Sequence, residues 1–215
     1  MPIICPTITA ADEREYHLQV KKIAGFAHRI QIDLTDGVFA PGPTVKPAEA
    51  WWPVGLKADF HLMYQEPLPA IRVIIKHRPH LIIVQAEARG KFSQMAAVCA
   101  EHKVKIGVAL LPSTPATEVA KALSSIDHIL IFSGNLGHQG GSQADLDLLD
   151  KVAEVKRLKP EVEVGWDGGI SDQNVSTLVS GGVDVLNVGG YIQHAADAHK
   201  AFDSLQRIAD ETGTT

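Results

Sequence analysis

The chain has 215 residues, a length that suits one domain built around a single core. With 45% hydrophobic residues, 21% charged residues and 18 glycines, its composition fits a folded α/β protein and excludes a disordered or fibrous one. A formal net charge of −5, with no lysine- or arginine-rich run, excludes a general nucleic-acid binder, so an anionic ligand has to be held by local groups.

Along the chain, short apolar or β-branched runs alternate with segments of helical periodicity. The first strand is expected at Pro2–Cys5, followed by a helix over Asp12–Ala24. Arg29–Asp33 reads as the second strand, with a short helical segment at Lys46–Trp52, and Leu56–His61 as the third, followed by a helix at Glu66–Lys76. Leu81–Val84 and Lys105–Leu110 follow as strands, each with its helix, Lys91–His102 and Pro115–Leu123. The remaining pairs are His128–Phe132 with Asp145–Arg157, Glu161–Trp166 with Gln173–Ser180, and Val183–Val188 with Ala195–Thr212.

Continuous apolar strands between helices imply a parallel sheet covered on its outer face, and eight such units close into a (β/α)8 TIM barrel. No Pro/Gly/Ser linker interrupts the pattern, so residues 1–215 are expected to form one barrel domain. An open doubly wound sheet is the alternative, but no G-x-G-x-x-G follows the first strand. The two cysteines, Cys5 and Cys99, suit a reducing compartment. The N-terminal sequence lacks the features of a signal peptide, and no run approaches the roughly 18 apolar residues that span a bilayer. The expectation is a cytoplasmic protein with no membrane partner. Barrels of this kind often form homo-oligomers, and the sequence points to no interface.

Barrel enzymes build their chemistry at the C-terminal ends of the strands. Here the second strand ends in Gln31-Ile32-Asp33, the third in Asp59-Phe60-His61, and the seventh in Trp166-Asp167. By the two-residue period of a strand, Gln31 shares a face with Asp33, and Asp59 with His61, so both pairs are expected to point into the barrel mouth. Hard oxygen ligands with an imidazole suit a divalent cation that stabilises an enediolate, while two carboxylates on opposite faces of a carbon can invert it. An Asp before Gly can also simply open a turn, and for Asp36 the two readings weigh equally. Three glycine-rich strand ends complete the mouth: Ser133–Gly141 with Gly137, His138, Gly140 and Gly141, then Gly168-Gly169, then Gly189-Gly190. Their backbone N–H groups can come close to a phosphate.

These residues resemble the ribulose-phosphate 3-epimerase family from Cys5 to about Ile192. The resemblance is carried by Cys-Pro-Thr-Ile-Thr-Ala-Ala-Asp (5–12), Asp-Leu-Thr-Asp-Gly-Val-Phe-Ala-Pro (33–41), Asp-Phe-His-Leu-Met (59–63) and Gln-Ala-Glu-Ala (85–88), in that order. Gly-Val-Ala-Leu-Leu-Pro-Ser-Thr-Pro (107–115), the Ser133–Gly141 loop and Asp-Gly-Gly (167–169) follow. It implies a pentose-phosphate substrate, catalytic Asp33 and Asp167, and a divalent metal such as zinc, iron, manganese or cobalt. Asp33, His61 and Asp167 match three expected ligands, and Gln31 stands where the family has His. An amide oxygen is a poorer ligand than imidazole for zinc or iron, which lowers the expected metal affinity.

Other departures gather in the same mouth. Thr7 stands for a substrate-contacting Ser, Thr35 for a Met, Gln85 for a His, Gly42 for an Asn and Gly190 for a Ser near the phosphate, while Leu136-Gly137-His138 replaces a Pro-Gly-Phe order. Two further readings therefore accompany the epimerase: a barrel that binds a sugar phosphate without turnover, and a phosphosugar lyase or decarboxylase. The related decarboxylases carry Asp-x-Lys-x-x-Asp on the third strand, and here Asp59-Phe60-His61 has no lysine. His17, His28, His77, His80, His102, His194 and His199 are expected on the outer surface, and His128 at the opposite, structural end of the barrel. Trp51 and Trp52 are expected to pack the short second helix against the barrel.

Overall fold

In the computed structural model, which describes residues 1–214, eight parallel strands close into a barrel in the order β1 to β8. The strands are β1 (Ile3–Ile8), β2 (Arg29–Thr35), β3 (Lys57–Met63), β4 (Leu81–Gln85), β5 (Lys105–Leu110), β6 (His128–Phe132), β7 (Glu163–Asp167) and β8 (Val185–Val188). Outside them lie α1 (Glu13–Ile23), α2 (Leu68–Ile74), α3 (Phe92–Glu101), α4 (Leu149–Leu158), α5 (Val175–Ser180), α6 (Gly190–Gln193) and α7 (Ala198–Gly213). The barrel seam is the pairing of β1 with β8, from Ile3 opposite Val185 to Pro6 opposite Val188. No helix among the described residues is long and apolar enough to cross a membrane.

The strands are apolar on both faces because both are buried. Ile30, Ile32 and Leu34 of β2 face outward into the main core with Val20, Ile23 and Leu62, all fully buried. Inside the barrel, Leu81, Ile83, Ala109 and Leu130 form a small separate apolar cluster on the β4–β6 side. Buried polar residues, among them Arg29, Asp59, Gln31 and His61, share the interior.

Two expected helices take another form. Lys46–Trp52 is a turn, in which Lys46 O accepts from Glu49 N–H at 2.9 Å and Glu49 Oε2 from Lys46 N–H at 2.8 Å. Pro53 disfavours helical backbone at the residue before it, so the segment stays open. Trp52 still reaches the barrel, edge-on to Phe60 at 5.5 Å, whereas Trp51 donates its indole N–H to His17 Nε2 at 2.8 Å. The segment after β5 is a 3-10 helix over Ala116–Ser125. Its inward residues Ala116, Val119 and Ala122 recur every third position, which matches three residues per turn. The short α6 after Gly189, separate from α7, was not expected from the sequence.

At the closed end of the barrel, the guanidinium of Arg29 bridges three strands. Arg29 Nε donates to Asp59 Oδ2 at 2.6 Å, and Nη1 and Nη2 donate to the two Glu163 oxygens at 2.8 Å each. His128 Nδ1 completes the cluster at 2.7 Å from Glu163 Oε2. Although burial opposes ionisation, the hydrogen bonds from Arg29 and His128 hold Glu163 well below the usual carboxylate range. His128 fits because residue 165 is Gly, where a Cβ would come within 2.5 Å of the imidazole Nε2. Asp59 therefore does not reach the mouth with His61 as expected. It points inward, but one pleat lower, and its charge is neutralised by Arg29.

Candidate active site

The opposite end of the barrel opens into a cavity of about 620 Å³. Asp33 at the end of β2 and Asp167 at the end of β7 line it, with Thr7, Gly137, His138, Gly140, Gly141, Gly168, Gly169, Gly189 and Gly190. Gln31 and His61 lie in contact with the two carboxylates and are fully buried. All thirteen residues expected at the site are thus brought together at this end.

Asp33 is surrounded by donors. Thr9 Oγ1 donates to its Oδ2 at 2.7 Å and Gln31 Nε2 to its Oδ1 at 2.9 Å, while His61 Nδ1 lies 3.2 Å from Oδ1. The same Gln31 nitrogen donates to Asp167 Oδ2 at 2.5 Å, so one amide joins carboxylates from β2 and β7. Burial, with the Asp33 carboxylate beside it, raises the Asp167 carboxyl well above its ordinary range. Asp33, His61 and Asp167 each offer a ligand atom, all within 4.8 Å of one another. Gln31 turns its amide nitrogen to the two carboxylates, and its Oε1 is buried without a hydrogen-bond partner.

The glycine rim is shaped by close backbone approach. Gly168 and Gly169 have φ of +117° and +69°, and a side chain on either would collide with the backbone of Gly134 or of Gln143 and Ala144. Gly190 lies against Gly140, whose Cα would be 2.9 Å from a Cβ at position 190. The Ser133–Gly141 loop is tied to β1 by Gln139, whose Nε2 donates to Thr7 O at 2.9 Å, beside a second bond from Gln193 Nε2 at 3.1 Å. Lysine and arginine are absent from the residues that line the mouth, so imidazoles are the only side chains there able to carry positive charge.

Several lining residues went unnoticed in the sequence. Thr9 follows Thr7 by the two-residue period and caps Asp33. Asn187, the one polar residue of β8, is 2% exposed, lines the mouth and has neither side-chain atom partnered. Its signal was an amide in an otherwise apolar strand, two residues before Gly189. His194, expected on the outer surface, also lines the mouth, with its Nδ1 3.4 Å from where a Gly190 Cβ would stand. His138 turns Nδ1 back to Leu136 O at 2.9 Å. Asp36 resolves as a turn former, accepting from the backbone of Val38, Phe39 and Gln65. Thr35 and Gly42, both departures from the family pattern, are bonded to each other through the Thr35 hydroxyl and the Gly42 carbonyl.

Comparison with known proteins agrees with this architecture. Residues 3–193 match the model of the ribulose-phosphate 3 epimerase family. Ribulose-phosphate 3-epimerase of Bacillus subtilis is 30% identical over 212 residues, covering 94% of this chain and 97% of the relative. The chloroplastic ribulose-5-phosphate-3-epimerase of Arabidopsis thaliana is also 30% identical, over 95% of this chain and 76% of its own. Among solved structures, 3-hexulose-6-phosphate synthase from Salmonella typhimurium superposes with a TM-score of 0.75 at 13% identity, over 98% of this chain and 99% of that one, a likeness of fold. The order of motifs around the barrel, the matched span and these relatives together make the chain a member of the ribulose-phosphate 3-epimerase family.

Proposed function

We propose that the chain is a ketose-phosphate 3-epimerase, an isomerase that inverts the carbon next to the carbonyl of ribulose 5-phosphate or a related ketose phosphate. The observation that carries this reading is the pair of carboxylates from β2 and β7, held by one Gln31 nitrogen in a glycine-rimmed mouth.

The phosphate binds at the Gly140-Gly141, Gly168-Gly169 and Gly189-Gly190 rim, where backbone can approach it closely. Asn187 offers an unpartnered amide to a sugar hydroxyl. Asp33, placed to act as an acceptor, takes the proton from the carbon on one side. Asp167, whose raised carboxyl favours the protonated form, returns a proton on the other side, which inverts the centre. Asp33, His61, Asp167 and the oxygen of Gln31 would hold a divalent cation. Bound there, it supplies Lewis-acid stabilisation of the enediolate oxygens.

Incubation with ribulose 5-phosphate and a divalent cation in heavy water is expected to give xylulose 5-phosphate carrying deuterium at C3. Absence of exchange with every ketopentose and ketohexose phosphate overturns the proposal, and binding of such an ester without exchange would leave a sugar-phosphate sensor in its place.

A further inference from the structure

Two carboxamides at the floor of the mouth turn their nitrogens, not their oxygens, toward the carboxylates and His61. Gln31 is fully buried and Gln85 is 2% exposed, and the oxygen of each has no hydrogen-bond partner. Their nitrogens make all the bonds: Gln31 Nε2 to Asp33 and Asp167, and Gln85 Nε2 to His61 Nε2 at 2.7 Å.

The bond from Gln85 decides the state of His61. Because Gln85 donates, His61 Nε2 is the acceptor and the ring proton sits on Nδ1, the nitrogen 3.2 Å from Asp33 and 3.8 Å from Asp167. A protonated Nδ1 cannot ligate a metal. In this arrangement the Thr9 hydroxyl, the Gln31 amide nitrogen and His61 Nδ1 all point toward the carboxylates.

Carboxamide nitrogen and oxygen are nearly the same size, and the terminal torsion of Gln is broad, so each amide can turn over without repacking. Turned over, Gln85 Oε1 accepts from His61 Nε2–H and the Nδ1 lone pair is freed. Gln31 Oε1 then faces two carboxylates, which is repulsive unless a cation lies among them. The two unpaired oxygens are therefore the two atoms that a cation-bound state needs.

The geometry points to a paired amide switch: Gln31 and Gln85 turn over together to convert a hydrogen-bonded carboxylate pair into a four-ligand cation site. Gln31 supplies the fourth ligand, and Gln85 acts as a positioning residue that sets which nitrogen of His61 carries the proton. This inference rests on the metal-assisted reading of the mouth. With three oxygens and one nitrogen, the site favours a hard cation such as manganese more than a site with two imidazoles does.

Calorimetric titration of the whole chain with manganese and with zinc, beside ¹⁵N NMR of His61, tests the switch. Gln85→Leu is expected to weaken manganese binding about 10- to 100-fold, in the range of lost outer-shell partners. Gln85→Glu, whose carboxylate accepts from Nε2–H without turning, is expected to bind at least as tightly as the unaltered chain. On loading with diamagnetic zinc, the His61 proton should move from Nδ1 to Nε2. Retention of the Nδ1 proton in the zinc-loaded protein overturns the switch, as does a folded Gln85→Leu variant with unchanged affinity. Failure of the unaltered chain to bind either cation also overturns it, whereas the deuterium-exchange assay decides the epimerase reading separately.

Discussion

The barrel interior holds two polar clusters on the same strands, at opposite ends. At the closed end, Arg29 of β2 meets Asp59 of β3 and Glu163 of β7 in short ion pairs, and His128 adds a second contact to Glu163 Oε2. At the mouth, two and four residues further along the same strands, Gln31, Asp33, His61 and Asp167 gather two carboxylates around an amide and an imidazole. The two carboxylates of the first cluster share one guanidinium, while no lysine or arginine lines the mouth beside the second. The closed end thus serves stability, since breaking one of its pairs strands a buried charge. The mouth sets two carboxylates side by side with no lysine or arginine among its lining residues, which leaves their repulsion for a cation to offset.

The comparison makes separate demands on the two ends. Asp167→Asn and Asp33→Asn are expected to lower C3 deuterium exchange by about 10²- to 10⁴-fold with the fold retained. Unaltered exchange in either variant would remove that carboxylate from the reaction. Arg29→Met is expected to destabilise the protein by about 3–5 kcal/mol in denaturant unfolding. Adding Asp59→Asn and Glu163→Gln should restore most of that loss, and a triple variant no more stable than the single one would break the charge-stranding account.

Smaller effects separate the ends further. Gly169→Ala, at a φ of +69° against the backbone of Ala144, should raise KM for the phosphate ester more than it lowers kcat, by about tenfold if one charge-assisted contact is lost. An equal fall in kcat with unchanged KM would detach this rim from the phosphate. The smallest expected effect is on the pH dependence of stability. His128 is held below its ordinary value by burial, so the unfolded chain takes up a proton that the folded one refuses as pH falls below about 6.5, and stability declines. Glu163 adds stability that is complete above about pH 4.3 and is lost as acid titrates it in the folded state. Asp167, raised in the metal-free protein, acts in the opposite sense and gains stability as pH falls toward its unfolded value. Thermal melts from pH 7 to 4 should therefore steepen in Asp167→Asn, and melts below pH 4 should flatten in Glu163→Gln.

Much of this was legible in the sequence. The continuous apolar runs of β5 and β6 gave their bounds without error, because parallel strands buried on both faces have no polar residue to blur them. The site residues were legible because strand ends and glycine pairs mark the mouth of a barrel. What period two does not encode is height. Asp59 and His61 share a face, yet one is neutralised by Arg29 and the other lies beside Asp33. The closed-end cluster was hidden for the same reason, since Arg29, His128 and Glu163 are far apart in the chain and look unremarkable in it. At Pro115–Leu123 a three-residue period resembles an α-helical one, which so short a segment does little to distinguish from the 3-10 helix that forms at Ala116–Ser125. Gln85 was visible only as a departure. Its meaning came from the His61 tautomer, a relation between side chains on different strands.

The seam between β1 and β8 has a consequence for how the molecule comes into being. Thr7 O receives Gln193 across 186 residues of sequence, and Ile4 N–H reaches Gln206 across 202. Loops of that size close late, after the local β/α units have formed. During synthesis from the N-terminus, Asp33 and His61 emerge early, but the wall that completes their chamber awaits β8 and α7. The mouth is thus assembled only when the last turns of the chain have returned to the first strand, and a ribosome-bound chain stalled before Gln193 should carry the carboxylate of Asp33 with no sealed chamber around it.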